Sequence, residues 1–164
     1  MTTRRKLGWA LAAGLIWLAG GAAAAGTARL GRLTISNAWI RATPNGATTA
    51  AAYLTVTNDG AIPDPLIAAA SRGVASITPH AMSMAGGVMR MRELTGGITI
   101  PAHSTVTLAP GGDHLMLMGL KRAFRPGETM PMRLKFARGG TLVVDFEVRS
   151  AAPIFRSSRA GEHP

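Results

Sequence analysis

Hydrophobic and polar residues alternate along the chain in short runs that are separated by turn signals. The clearest run covers residues 51–57, where Tyr53, Thr55 and Thr57 alternate with two aliphatic side chains. It ends at Asn58-Asp59-Gly60, which is a strong turn signal. A period of two places successive side chains on opposite faces of a strand, so this run predicts a half-buried β-strand.

Runs of the same kind recur at roughly ten-residue spacing, and no segment carries an apolar stripe of helical period over three turns. The predicted strands are residues 33–36, 38–41, 51–57, 66–70, 74–78, 87–94, 98–100, 105–108, 114–118, 130–136 and 141–148. Short strands joined by turns predict an all-β domain, either an antiparallel β-sandwich or a Greek-key barrel.

The first residues have the layout of a secretory signal peptide. Residues 4–6 are basic, residues 7–18 are apolar, and small residues occupy the positions before a cut after Ala25. The alternative is an uncleaved membrane anchor, because residues 7–26 are about long enough to span a bilayer. The Ala- and Gly-rich second half of the segment favours cleavage.

The chain therefore divides into three parts: a signal peptide at residues 1–25, one β domain at residues 26–150, and a polar, basic tail at residues 151–164 that is expected to fray. The 139 residues after the cut are enough for one domain with its own core. We expect this part to be a periplasmic protein that does not stay inserted in the membrane.

Charge and cysteine content narrow the functions that fit. After the leader, 15 basic residues stand against eight acidic ones, and the charges are scattered. A nucleic-acid partner is not expected, because such proteins cluster their basic residues among aromatic ones. The chain has no cysteine, so it has neither a disulfide nor a thiolate. Any soft-metal chemistry must therefore use thioether and imidazole groups.

Methionine and histidine are concentrated in one part of the chain. Six of the eight methionines after the leader, and three of the four histidines, lie within residues 80–118. His114 and Met116 are two residues apart in a predicted strand, so their side chains share a face. Met89 and Met91 share a face in the same way. These pairs could converge on one ion.

The donor types indicate which ion that would be. Thioether sulfur is soft and imidazole is borderline, so the two together suit copper(I) and serve magnesium or calcium badly. We therefore predict one copper(I) per chain. His80 and Met82 can join the same face if their segment is also extended. His103 lies in a turn and is expected to be solvated, and His163 lies in the tail and is expected to be idle.

Packing is the alternative explanation for several methionines, because Met is a flexible gap-filler in apolar cores. We expect Met118, Met130 and Met132 to pack in the core. For Met82 and Met84 two interpretations stay open: they are spare ligands, or they cover an apolar surface.

The residues from His80 onward resemble the PCu(A)C family of periplasmic copper chaperones. The family signature is a His, a Met about eleven residues on, and a His-x-Met some 22 residues later. Here these are His80, Met91 and His114-Leu115-Met116. The resemblance continues at Ala38-Trp39-Ile40-Arg41 and Ala52-Tyr53, and so covers nearly all of the chain after the leader.

This resemblance implies a cupredoxin-like β-sandwich that holds copper(I) near its surface. The ligands it implies are His80, Met91, His114 and Met116. The candidate auxiliary ligands, needed if a second ion binds, are Met82, Met84 and Met89.

The resemblance also implies partners. Family members are associated with delivery of copper to the Cu(A) centre of cytochrome c oxidase, alongside Sco-type proteins. We expect this chain to be a monomeric carrier with such partners, and not an enzyme. Some relatives have a His- and Met-rich C-terminal extension that binds copper(II), whereas the tail here contains one histidine, His163.

Two other functions compete with the carrier hypothesis. A small copper oxidase is disfavoured because no cysteine can complete a His₂Cys electron-transfer site. A metal-free β-sandwich that binds a protein partner through a Met-rich surface is the second alternative, since Met-rich surfaces adapt to varied partners.

Overall fold

The structure, a computed structural model, describes residues 27–150, which form eleven β-strands. The strands are β1 (Ala28–Leu30), β2 (Leu33–Arg41), β3 (Thr49–Asn58), β4 (Asp64–Ala70), β5 (Ser76–Ala85), β6 (Val88–Glu93), β7 (Ile98–Ile100), β8 (Ser104–Thr107), β9 (His114–Met118), β10 (Thr129–Phe136) and β11 (Gly140–Arg149). Because residues 27–150 contain no helix, the all-β prediction is confirmed.

The predicted signal peptide at residues 1–25 lies outside the described residues, as does the predicted tail at residues 151–164 with His163. Between residues 27 and 150 there is no helix long and apolar enough to cross a membrane.

Seven of the strands close into a ring. Followed through its hydrogen bonds, the order is β2, β11, β10, β4, β5, β9 and β3, and β3 then pairs back with β2. The short strands β1, β6, β7 and β8 attach to β2, β5, β4 and β3 respectively. Closure pairs both sides of the ring strands, which removes the exposed edges that open sheets must protect. This arrangement corresponds to the predicted barrel alternative.

One pairing departs from a purely antiparallel sheet. The ends of β2 and β11 run parallel, with Trp39 opposite Glu147 and Arg41 opposite Arg149. Parallel neighbours need a long crossover between them. Here the chain from β3 to β10 supplies it, so the first and last long strands of the ring lie side by side and the sheet is mixed.

Residues 33–41 form one strand where the sequence predicts two. Asn37 adopts a φ of 48°, and the register of β2 against β3 shifts beside it. A bulge of this kind reverses which side chains point inward. Ile35 is buried before the bulge and Ala38 after it, so Trp39 faces the outside of the barrel.

The interior is filled by the alternate side chains of each strand. In β10 the buried residues are Met130, Met132, Leu134 and Phe136. The expected core packing of Met130 and Met132 is therefore confirmed.

The corresponding prediction for Met118 is wrong. In β9 the inward side chains are Leu115 and Leu117, which are fully buried. Met118 has the opposite parity and lies half-buried on the outer face. Apolar character alone does not place a side chain in the core, because the face on which it lies is set by strand parity.

Replacing Met132 with alanine should lower the free energy of unfolding by about 2–5 kcal/mol, because the change opens a cavity in the core. The matched control is Met89→Ala in β6, whose side chain is 62 % exposed. The control should stay within about 0.5 kcal/mol of the parent. Denaturant midpoints of the metal-free proteins measure both values, and equal losses would contradict the assignment of Met132 to the core.

Candidate metal centre

The two histidines of the predicted site lie side by side on neighbouring strands. His80 of β5 pairs directly with His114 of β9 at the end of that ladder. Their ring centroids are 6.0 Å apart and their planes are inclined by 25°. In an antiparallel pair, residues directly opposite each other project from the same face. Both imidazoles therefore project from the outer face of the barrel.

Met116 lies on the same face as the histidines. It follows His114 by two residues in β9 and pairs with Thr78 of β5, which precedes His80 by two. Met116 is thus a diagonal neighbour of His80, a relation that separates Cα atoms by about 7–8 Å and is within reach of a long side chain. The predicted shared face of His114 and Met116 is confirmed.

Met91 comes to this face through a hairpin. β5 continues past its predicted end at Thr78 and pairs with β6, which places Met91 opposite Met82. Met82 follows His80 by two residues, so Met91 is a diagonal neighbour of His80 on the side away from His114. The structure therefore brings all four predicted ligands to one face of three adjacent strands.

Hydrogen bonds determine which nitrogen of each imidazole is available. Nδ1 of His114 lies 3.0 Å from the carbonyl oxygen of Gly112, and Nδ1 of His80 lies 3.2 Å from that of Thr78. A carbonyl oxygen can only accept, so a hydrogen bond to it requires the proton on Nδ1. Nδ1 of His80 also has the hydroxyl of Thr78 3.3 Å away. Each Nε2 then has a free lone pair and no partner among residues 27–150. This is how metal-binding histidines are held in one tautomer.

His114 is more deeply placed than the sequence indicates. The resemblance implies a site near the surface, but the side chain of His114 is 2 % exposed. Its ring lies between that of His80 and that of Tyr53, whose centroid is 6.4 Å away. Its neighbours on this face are more accessible to solvent: His80 is half-buried and Met91 is 50 % exposed.

An aromatic row continues from the histidines across the barrel. Trp39 pairs with Tyr53 across β2 and β3, with ring centroids 4.5 Å apart. The guanidinium of Arg149 lies over the Trp39 ring at 5.9 Å. Sequence reasoning did not place Tyr53 beside the site, although its alternation with Leu54 in residues 51–57 already separated it from the core face. Tyr53, at one end of this row, lies beside the buried ring of His114.

The auxiliary methionines occupy the same face of the hairpin. Met82 is half-buried and lies opposite Met91, while Met84 lies opposite Met89. Met84 is 66 % exposed, so it does not pack in a core. The direct partner of His80 in β6 is Glu93, which carries a carboxylate.

The centre differs in its donors from sites for harder metals. Within the described residues, no three His, Cys, Asp or Glu side chains are grouped so that they could hold an ion.

A cavity of about 600 Å³ lies elsewhere, between the turn after β3 and the β10–β11 turn, and His103 lies exposed at its lining. None of the predicted ligands lines this cavity.

Comparison with known proteins places the chain in a family. The LpqE-like family, whose members are described as lipoproteins, matches residues 33–148. The chain belongs to this family. Over 115 residues it is 37 % identical to a protein of Leifsonia xyli subsp. xyli (strain CTCB07) that is named as a lipoprotein, Lxx21020. That alignment covers 70 % of this chain and 68 % of the relative.

Solved structures connect this LpqE-like chain to PCu(A)C domains. The copper-bound PCuAC domain from PmoF2 matches with a TM-score of 0.66 and 29 % identity, over 76 % of this chain and 97 % of that domain. The solution structure of CuI-DR1885 from Deinococcus radiodurans matches with a TM-score of 0.55 and 40 % identity. That match covers 68 % of this chain and 74 % of DR1885. The resemblance to the PCu(A)C family and the cupredoxin-like fold are thus confirmed.

The position of Tyr53 generates a pH prediction. Burial raises the pKa of the Tyr53 phenol above its ordinary value of 10.0, and the charge and hydrogen bond of Arg41 offset this in part. A phenol whose pKa is raised on folding contributes stability that is complete below the pKa of the unfolded chain and is lost as the pH rises. The fold should therefore weaken above about pH 10.

Tyr53 is the one tyrosine of the chain, so tyrosinate absorbance reports it alone. The native protein should titrate at a higher pH than the protein in denaturant, and Tyr53→Phe should remove the absorbance change. Identical midpoints in the folded and unfolded protein would show that the phenol is not desolvated.

Proposed function

We propose that this PCu(A)C domain binds one copper(I) ion tightly and carries it to another protein. The proposed ligands are Nε2 of His80, Nε2 of His114, and the thioether sulfurs of Met91 and Met116. The proposal is supported by the copper-bound state named for two of the similar structures, the PmoF2 domain and DR1885.

The His80–His114 pair is the observation that carries the proposal. Two imidazoles lie together on one face with both Nδ1 atoms beside backbone carbonyls, which leaves each Nε2 available to a metal ion. Thioether side chains flank this pair on the same face. Such a set of neutral, soft and borderline donors favours copper(I) over hard divalent cations.

The placement of the ligands suits transfer more than catalysis. Met91 is exposed at the surface while His114 is buried, so a partner can replace the outer ligand before the inner ones are released. Neutral thioethers are also readily exchanged, since no charge has to be separated when one leaves. We therefore propose a carrier without catalytic turnover, for which the copper is cargo.

The recipient we propose is the Cu(A) centre of cytochrome c oxidase or a Sco-type copper protein, approached by this domain as a monomer. This proposal rests on the resemblance of the His80, Met91 and His114-Leu115-Met116 signature to the PCu(A)C chaperones. The excess of basic residues after the leader supports docking to an acidic partner surface.

We propose that the domain acts outside the cytoplasm, in the periplasm. The signal-like residues 1–25 support export, and so do the lipoprotein descriptions of the family and of the Leifsonia relative. None of the 164 residues is cysteine, the residue that carries a thioether-linked lipid in lipoproteins. We therefore propose that the signal peptide is cleaved and that residues 26–164 are released.

A metal-free interaction module is the second candidate function. The exposed methionines of the β5–β6 hairpin favour it, because such side chains adapt to varied apolar partners. An anaerobic titration with a competing copper(I) chelator separates the two candidates. A stoichiometry near zero would leave the interaction module as the remaining proposal.

Met116→Leu should weaken copper(I) binding roughly tenfold or more, about 1.4 kcal/mol, because it removes a donor and keeps the side-chain volume. Met118→Leu is the matched control, since Met118 lies on the same strand and face but outside the proposed ligand set. The control should bind as the parent does. Equal affinities for Met116→Leu and the parent would contradict the assignment of Met116.

His114→Ala should abolish tight copper(I) binding and also destabilise the metal-free protein. The stability cost is about 0.5–1.5 kcal/mol, because the change removes the part-buried hydrogen bond between the imidazole and the carbonyl of Gly112. Denaturant midpoints and chelator competition measure the two effects, and copper binding equal to that of the parent would overturn the site.

The export proposal predicts a mature protein that begins near Gly26. The intact mass of protein released from the periplasm by osmotic shock tests it. Recovery in the membrane fraction alone, with residues 1–25 retained, would favour the anchor alternative.

A further inference from the structure

The β5–β6 hairpin extends beyond the barrel as a two-stranded ribbon. β5 leaves its ladder with β9 at His80, and from Ala81 to Ala85 it pairs with β6 alone. The two strands are joined by Gly86 and Gly87, both with positive φ (59° and 75°). A two-residue turn of this kind matches the twist of the strands and sets their register.

This register sorts the side chains of the ribbon by type. The directly opposed pairs Met82–Met91 and Met84–Met89 project from one face, which is the face of His80. The intervening pairs, Ala81–Arg92 and Ser83–Arg90, project from the opposite face. Four thioethers therefore form two successive rungs, and no cation is interleaved with them.

Core packing does not account for the outer rung. Among residues 27–150, Met84 and Met89 are the most exposed of the large apolar side chains, whereas Met132 of β10 is fully buried. A large apolar side chain that stays exposed to water contributes no hydrophobic stabilisation to the fold. What the four residues share, and what an aliphatic side chain would lack, is a soft sulfur donor.

The spacing of the rungs allows more than one sulfur to reach one ion. Side chains directly opposite in an antiparallel pair have Cβ atoms about 4.5–5.5 Å apart, and Met has three rotatable bonds with which to adjust. Met84 and Met89 can therefore converge, and Met82 is the neighbour of Met84 on the same face. Three neutral thioethers form a donor set for a soft monovalent cation.

We propose that Met84, Met89 and Met82 form a second, weaker site for copper(I) at the tip of the hairpin. It lacks imidazole donors and is exposed, so it fills after the His80–His114 centre. The existence of this site does not depend on the proposed carrier role. Its use, as the point where copper enters or leaves the inner centre, does rest on that proposed function.

Transfer along the hairpin needs no change of oxidation state. The Met82–Met91 rung lies between the tip and His80, and Met91 is also a proposed ligand of the inner centre. Copper(I) can form a bond to the Met91 sulfur as it loses the bond to Met84 or Met89, and then bind the histidines. Each step exchanges one neutral sulfur donor for another neutral donor, so charge and electrons balance.

Silver(I), an air-stable soft monovalent cation, is the probe for the test. The full chain, labelled at the methionine methyl groups, is titrated with silver(I) and followed by NMR, and the stoichiometry is measured by native mass spectrometry. The variant is Met84→Leu/Met89→Leu, which keeps volume and apolar character on an exposed surface. The matched control is Met118→Leu, which removes a methionine from the outer face of β9.

With the parent and the control, the methyl signals of Met84 and Met89 should shift with the second equivalent of silver(I), and a two-ion species should form. The double variant should keep the first ion and lose the second. A parent that binds one ion without shifts at Met84 and Met89, or a double variant that still binds two ions, overturns the tip site. A parent that binds one ion with shifts confined to the tip methionines would instead contradict the His80–His114 centre and leave the tip site standing.

Discussion

The antiparallel pairing of β5 with β9 brings together the two histidines and Met116 of the candidate metal centre. It sets His80 beside His114, and because side chains repeat every two residues, it also sets Met116 and Met82 on the same face. A slip of one residue would turn these side chains into the core and bring Leu115 and Leu117 out. The burial of those leucines in the closed barrel therefore holds the candidate ligands in register.

The site combines a rigid inner part with an accessible outer part. His114 is buried, its Nδ1 lies beside the carbonyl of Gly112, and its ring lies near those of Tyr53 and His80. Met91 stands on a hairpin that leaves the barrel and is half exposed. Preorganised inner donors favour affinity, and an exchangeable outer donor favours release. A carrier needs both properties.

The choice of neutral donors also fits the surroundings. Burying a carboxylate as deeply as His114 would carry a large desolvation cost unless it were paired, whereas a neutral imidazole with its Nδ1 proton bonded to a carbonyl does not. Thioethers tolerate both burial and exposure. The same sequence can therefore present soft ligands from the barrel surface to the tip of the hairpin without destabilising the metal-free fold.

Much of this could be predicted from the sequence, because strand parity is local. The alternation around Tyr53, the His114-Leu115-Met116 step and the turn signals depend on neighbours in the chain, so the strands, the all-β class and the clustering of soft donors were determined by the sequence itself.

The tertiary structure alone decided which strands became neighbours. Long-range pairing placed Tyr53 against His114 and so buried it, and the bulge at Asn37 turned Trp39 outward. It also left Met118 outside the core, since the position of the core is a property of the closed barrel and not of any one strand.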